Sequence, residues 1–144
     1  AKSATNAGCS VVICNGKENY PLSNLLKGQK HTLFLAKNDP QTSRKNWISS
    51  MKVKGQIKID AGAVDALKNG KSLLPAGVTE VFGSFSRGDP VEIIVENGEG
   101  FGKGLINYDN IEVSAIIGKQ SSEVIDVLGY SGRVSVVHRD NMVL

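Results

Sequence analysis

From Met51 onward the chain is built of short alternating apolar and polar runs separated by glycines, and this pattern restricts the possible folds most strongly. Val53 to Ile59 alternates strictly, which is typical of a strand with one face in a core. Asp60 precedes a helical stretch from Ala61 to Lys68, and Asn69-Gly70 follows it as a stop signal. Short strands with small helices predict a compact, mainly β, barrel-like module.

The same pattern continues to the C-terminus. Further strands are predicted at Val78–Phe82, Pro90–Val95, Lys103–Tyr108 and Val134–His138. Two short helices are predicted between the last two strands, at Ile111–Ile117 and Ser122–Leu128. The glycine-rich stretch from Gly98 to Gly104 does not open a helix, so we interpret it as a hairpin turn leading into the Lys103 strand.

The first 36 residues have a different, α/β texture. Ser10–Cys14 and Thr32–Leu35 are continuous apolar runs, the pattern of strands buried on both faces in a parallel sheet. Pro21 can open a short helix between them. A fragment of this size cannot bury its own core, and we expect it to expose much of its strand surface. The polar residues 37–50, interrupted by Pro40, are predicted to form a linker.

Composition and charge exclude several classes of function. Residues 1–46 contain seven Lys/Arg and two acidic residues (+5), so the remaining ten basic and twelve acidic residues leave the module at −2. This distribution disfavours a nucleic-acid binder that acts through diffuse charge. No apolar run is long enough to span a membrane, and no signal peptide is evident, so we expect a cytoplasmic protein whose first residues continue from a longer reading frame. Cys9 and Cys14 are predicted to be buried thiols rather than a disulfide.

The motifs that suggest catalysis are incomplete. Asn69 to Ser72 resembles the end of a phosphate-binding loop, but Asp65 stands where that motif needs a glycine. His138-Arg139-Asp140 has the letters of a kinase catalytic loop, yet the residues that must follow are missing. The sequence therefore predicts no catalytic, cofactor-binding or metal site in this chain.

Two stretches carry a family resemblance. Ser72–Val78 and Gly83–Val91 resemble the PUA domain, a small pseudobarrel often appended to RNA-modifying enzymes. The whole chain is also similar to the C-terminal region of the bacterial glutamate 5-kinase family, in segments that occur in the same order: Arg44–Ile48, Ser72–Val78, Phe85–Asp89, Gly104–Tyr108, Leu128–Tyr130 and Val137–Met142. Asn46 departs from that family, which often has a second basic residue there.

This resemblance implies a domain organisation. Residues 1–36 would be the C-terminal remnant of an amino-acid-kinase domain, 37–50 a linker and 51–144 a PUA domain. The parent enzyme would use Mg-ATP to phosphorylate the γ-carboxyl of glutamate in proline synthesis, as a homo-oligomer. Its glutamate pocket and ATP motif would precede Ala1, so this chain alone would be inactive, with no cofactor and with the kinase domain of the same polypeptide as its partner.

Three roles for the module stay open. It could regulate or assemble a metabolic kinase, it could bind RNA, or it could only stabilise the kinase domain. The resemblance implies that RNA would contact Ala63–Gly70, Lys71–Gly77 and Val136–Arg139. The candidate RNA or partner contacts are Gly70, Lys71, Arg87, Lys103 and Arg139. The charge of the module makes RNA the less favoured partner.

Overall fold

The fold was analysed in a computed structural model, which describes residues 1–6, 8–36 and 39–144. The chain divides into two compact units, Ala1–Arg44 and Lys45–Leu144. The predicted linker of residues 37–50 contains this division, although Lys37 and Asn38 lie outside the described residues. In the place of most of that linker stands an 11-residue helix, α3 (Pro40–Ser50). Pro40 starts this helix rather than interrupting it, because the first turn needs no proline N–H.

The first unit contains two short helices and two short strands. Helix α1 (Lys2–Asn6) and strand β1 (Val11–Cys14) are followed by helix α2 (Pro21–Leu26) and strand β2 (His31–Phe34). β1 pairs with β2, and the pairing is antiparallel, with Val11 opposite Phe34. The prediction of strands buried in a parallel sheet was therefore wrong for the described residues.

Both strands of the first unit are largely exposed. Ile13 is 56% exposed and Leu33 is 51% exposed, and every residue of β2 is exposed. The expectation that this fragment is too small to cover its own strands is confirmed. The cysteines follow the same rule, since Cys9 is exposed and Cys14 half-buried. They are free thiols, as predicted, but the prediction that they are buried was wrong.

The second unit is built on one five-stranded sheet. Its strands are β3 (Gly55–Ile59), β4 (Val78–Gly83), β5 (Pro90–Ile94), β6 (Gly100–Ile106) and β7 (Val137–Val143). The strand order is β4-β3-β5-β6-β7, and all neighbours are antiparallel except the parallel pair β3 and β5. An isolated bridge between Leu73 and Val137 ties the chain before β4 to β7. The predicted mainly β fold with short helices is confirmed.

Three helices of the second unit pack on this sheet or close its end. They are α4 (Ala61–Lys68), α5 (Asn110–Ile116) and α6 (Val124–Leu128). The core is formed by apolar side chains from the strands and from α4 and α5, including Ile57, Leu67, Phe85, Ile93, Ile106 and Val113. Phe85, in the loop between β4 and β5, is part of this core and only 3% exposed.

The glycine-rich stretch is mainly a strand and not the predicted turn. Gly98, with φ +84, occupies the turn, but Gly100–Ile106 pairs with β5 on one side and with β7 on the other. A Cβ on Gly102 would lie 2.6 Å from the carbonyl oxygen of Val143. The glycines of β6 therefore permit close approach of β7 and of the residues that follow it. The last strand, Val137–Val143, lies further along the chain than the predicted Val134–His138.

Candidate functional site

A groove in the surface of the second unit lies beside α4. This groove has a volume of about 450 Å³ and lies between α4 and the loop that joins it to β4. Its lining is mostly small or apolar: Asp60, Gly62, Ala63, Ala66, Leu67, Lys71, Ser72, Leu73, Leu74, Ala76 and Gly77. The groove is thus an apolar trough, with the charged residues Asp60 and Lys71 in its lining.

Local sequence signals position both walls of the groove. Asp60 caps α4, because its Oδ1 accepts a hydrogen bond of 2.7 Å from the Ala63 N–H. Gly70, with φ +72, takes the left-handed conformation that ends the helix and turns the chain back. The turn Pro75–Gly77 then leads into β4. A Cβ on Gly77 would lie 2.6 Å from the Cβ of Ala63, so a glycine is needed where the loop touches the helix.

The predicted contacts Gly70, Lys71 and Arg139 lie near one another after the end of α4, and of these three Lys71 is in the lining of the groove. Lys71 lines it, and its neighbour Ser72 accepts a hydrogen bond of 3.0 Å through Oγ from the Arg139 N–H. The Arg139 side chain is 64% exposed, and its Nε lies 3.8 Å from Asp140 Oδ1. β7 therefore places Arg139 next to the loop that contains Lys71.

Arg87 belongs to a separate polar cluster with Glu112 and Tyr130. Arg87 Nη2 contacts both Glu112 Oε1 and the Tyr130 hydroxyl, and Arg87 Nε donates to Glu112 Oε2 at 3.1 Å. The Tyr130 hydroxyl donates to Glu112 Oε1 at 2.6 Å. The guanidinium also lies 5.9 Å from the centre of the Tyr108 ring and 5.2 Å from that of Tyr130. The cation of Arg87 is thus already paired inside the protein.

Glu112 is the centre of this cluster. It is also the third residue of α5 in a capping box with Asp109, whose N–H it accepts at 3.0 Å. The hydrogen bond from Arg87 is the largest of the effects that lower the pKa of Glu112, which reaches about 2. Burial, followed by the hydrogen bond to Glu112, raises the pKa of Tyr130 to about 12. The cluster therefore holds Glu112 ionised and Tyr130 neutral across the physiological range.

Lys103, the remaining predicted contact, lies on β6 and points its charge at a helix end. Its Nζ donates to the carbonyl oxygens of Ser49 and Met51, at 2.7 and 2.8 Å. The structure thus separates Arg87 and Lys103 from the groove and gives each an internal partner.

Metal-binding clusters and membrane-spanning helices are both absent from the described residues. Residues 1–6, 8–36 and 39–144 contain no group of three or more His, Cys, Asp or Glu side chains placed to bind a metal ion. Within these same ranges, no helix has the length and apolar character of a membrane span.

The sequence match decides the family. The family model of the PUA domain matches residues 55–128, which contain the groove, Arg87 and Glu112 of the polar cluster and four of the five sheet strands. The chain belongs to the PUA domain family. The resemblance to the PUA domain that was based on Ser72–Val78 and Gly83–Val91 is therefore confirmed. The predicted pseudobarrel fold class is confirmed as well.

The curated relatives extend the similarity beyond the PUA domain. The chain is 51% identical over all its 144 residues to a glutamate 5-kinase of Cereibacter sphaeroides and 50% identical to one of Dinoroseobacter shibae. It spans 39% of the length of each of these relatives. Among solved structures, a PUA domain of Aeropyrum pernix K1 in a tartrate complex matches with 16% identity and a TM-score of 0.45, over 90% of this chain and 85% of that one.

Sequence reasoning found the helix and loop that form the groove but missed the Arg87 cluster as a unit. Tyr130 lies 18 residues from Glu112 and 43 from Arg87, so no local spacing links the three. The capping box of Asp109 and Glu112 was a readable signal, because acidic residues three apart at a helix start are typical of it. It would have placed Glu112 at the start of α5.

Proposed function

We propose that this chain is the C-terminal region of a glutamate 5-kinase, in which the PUA domain has a regulatory or assembly role. The observation that carries this proposal is the identity of 51% over the entire chain, which includes the first unit outside the PUA match. A PUA domain attached to an unrelated protein would give similarity over residues 55–128 alone.

The exposed strands of the first unit support the same proposal. Val12, Ile13, Leu33 and Leu35 present apolar side chains that are between 41% and 71% exposed. Burying such side chains stabilises a protein by about 1.5–3 kcal/mol each, so they favour a covering partner. We infer that this partner is the remainder of the amino-acid-kinase domain, in the same cytoplasmic polypeptide, and that the whole enzyme is a homo-oligomer.

In this proposal the transfer chemistry belongs to the other part of the enzyme. Mg-ATP would donate its γ-phosphoryl group to the γ-carboxylate of glutamate, giving an acyl phosphate and ADP. The PUA domain would contribute no residue to that step. It would act on the kinase domain through its attachment and surface.

A chimera tests the proposal. In the Cereibacter sphaeroides relative, the stretch that aligns with this chain is replaced by this chain, and acyl phosphate is trapped with hydroxylamine after incubation with glutamate and Mg-ATP. We expect the chimera to form acyl phosphate and the 144-residue chain alone to form none above the blank. Turnover by the chain alone, or a folded chimera without activity, would contradict the proposal.

A shortened chimera separates regulation from simple stabilisation. It ends at Ser50 and therefore lacks the PUA domain. Altered kinetic constants or altered response to effectors, together with a changed oligomer, would support the regulatory or assembly role. Loss of solubility or of the oligomer with unchanged intrinsic kinetics would favour the purely structural alternative.

RNA binding is a second candidate, favoured by one observation. Lys71 lines the apolar groove, and the backbone of Arg139 is hydrogen-bonded to the adjacent Ser72. An apolar trough next to two cations suits a base that packs against aliphatic side chains while the neighbouring phosphates are neutralised. The net charge of −2 outside residues 1–46 weighs against this role.

Gel-shift experiments with structured RNA at low and moderate salt test this candidate. We expect binding to weaken steeply with salt, because each neutralised phosphate contributes a log–log slope of about 0.9 for duplex DNA and less for single strands. A variant with Lys71→Glu and Arg139→Glu should bind more weakly than one with Lys52→Glu and Lys119→Glu, which changes charge equally. The absence of any shift at every salt concentration would remove the RNA hypothesis.

A further inference from the structure

Helix α3 buries little of its surface. Of its eleven residues, Ile48 alone is buried, and the neighbouring Trp47 is 52% exposed. An isolated helix of this length is marginal in water, so its position depends on packing against the rest of the protein. One buried isoleucine gives only part of that packing.

Three donors form hydrogen bonds with carbonyl groups at the end of α3. The Trp47 carbonyl accepts from the Ser50 hydroxyl at 2.7 Å, and the Ile48 carbonyl accepts from the Met51 N–H at 3.2 Å. The Ser49 and Met51 carbonyls accept from Lys103 Nζ, which comes from a strand 52–54 residues away. The ammonium group thus lies at the negative end of the helix dipole, where a cation is most favourable.

No ion pair among the described residues competes with these carbonyl groups for the charge of Lys103. Among the described residues no carboxylate forms a salt bridge with it, whereas Lys54 and Lys58 are paired with Asp89 and Glu80. Hydrogen bonds from a charged donor are roughly twice as strong as those between neutral groups. The contact is therefore the single charged link between the end of α3 and the sheet in the described part of the second unit.

We propose that Lys103 is the positioning residue that anchors the end of α3 to β6, so that loss of its charge releases the helix while the sheet stays folded. α3 begins in the first unit and ends in the second, so this anchor attaches the end of the connecting helix to the sheet of the second unit. This inference does not depend on the proposed enzymatic function.

Hydrogen exchange on the 144-residue chain tests the anchor. In Lys103→Met, which keeps an apolar stem without the charge, amides of residues 47–51 should exchange at least about ten times faster, while β3 and β5 change less than about two-fold. Trp47 is the only tryptophan of the chain, and its fluorescence should become more accessible to acrylamide. Lys103→Arg should restore both properties, and Lys52→Met, an equal charge change at an exposed site, should leave them unchanged.

Two results would overturn the proposal. One is unchanged exchange and quenching in Lys103→Met, and the other is equal acceleration in helix and sheet, which would make Lys103 a general stability residue. If Lys103→Met does not fold, Lys103→Gln replaces it in the same comparison.

Discussion

Replacing Gly104 with alanine is expected to lower the free energy of unfolding of the second unit by about 3 kcal/mol. The added Cβ would lie 2.4 Å from Cγ1 of Val137 and 3.1 Å from the carbonyl oxygen of Asn141. Val137 is fully buried, so its side chain has no free space into which it could rotate. Urea denaturation followed by Trp47 fluorescence, with Trp47 in the second unit, measures the change.

Two further variants show whether this close contact is the cause. Gly62→Ala, on the exposed face of α4, should keep or raise stability by about 0.5–1 kcal/mol, because alanine is the better helix former. Adding Val137→Ala to Gly104→Ala should cost less than the sum of the two single changes, because the smaller side chain removes the clash. Strict additivity, or a Gly104→Ala variant as stable as the wild type, would contradict this explanation.

The second large effect is expected from Glu112→Gln, which should cost about 2 kcal/mol at pH 7. The neutral amide cannot accept equally well from Arg87, Tyr130 and the Asp109 N–H, all of which contact the carboxylate. The substitution should weaken the start of α5 and also its link to Tyr130. Chemical denaturation at a series of pH values measures both the loss and its pH dependence.

The pH dependence has a defined sign. The pKa of Glu112 falls from its ordinary value of 4.5 to about 2 in the folded protein, so the folded state favours the ionised form. The stability difference between wild type and Glu112→Gln should therefore be complete above pH 4.5 and vanish as the pH falls towards 2. Glu80→Gln, in an exposed pair with Lys58, should cost less than about 1 kcal/mol. A difference that persists at pH 2 would show that the carboxylate charge is not responsible.

Predictions that depended on neighbouring residues agree closely with the structure. Helix α4 runs from Ala61 to Lys68 as predicted, because Asp60 and Gly70 are signals that act within one helical turn. The half-buried strand β3 was predicted from alternation, and its Ile57 and Ile59 are indeed fully buried. The PUA resemblance rested on similar short motifs and was confirmed by the family match.

Predictions that depended on residues distant in the sequence were wrong. Gly98–Gly104 was interpreted as a turn before a strand at Lys103–Tyr108, but the strand already begins at Gly100, and its glycines make room for β7. The apolar runs of the first unit were interpreted as strands of a parallel sheet, but β1 and β2 pair in an antiparallel arrangement and leave much of their surface exposed. An apolar pattern records a tendency to be buried and does not supply the surface that buries it.

The sequence by itself determined the order of short strands and helices from β3 to β7, the boundaries of α4 and the family of the chain. Only the tertiary structure decided which of the candidate cations lie near the groove and which are paired elsewhere. Lys71 lines the groove and the Arg139 backbone is bonded to the adjacent Ser72, whereas Arg87 pairs with Glu112 and Lys103 with the end of α3. These partners are 25 or more residues apart, and strand register and packing bring them together, so no local pattern could have shown which charges were already paired.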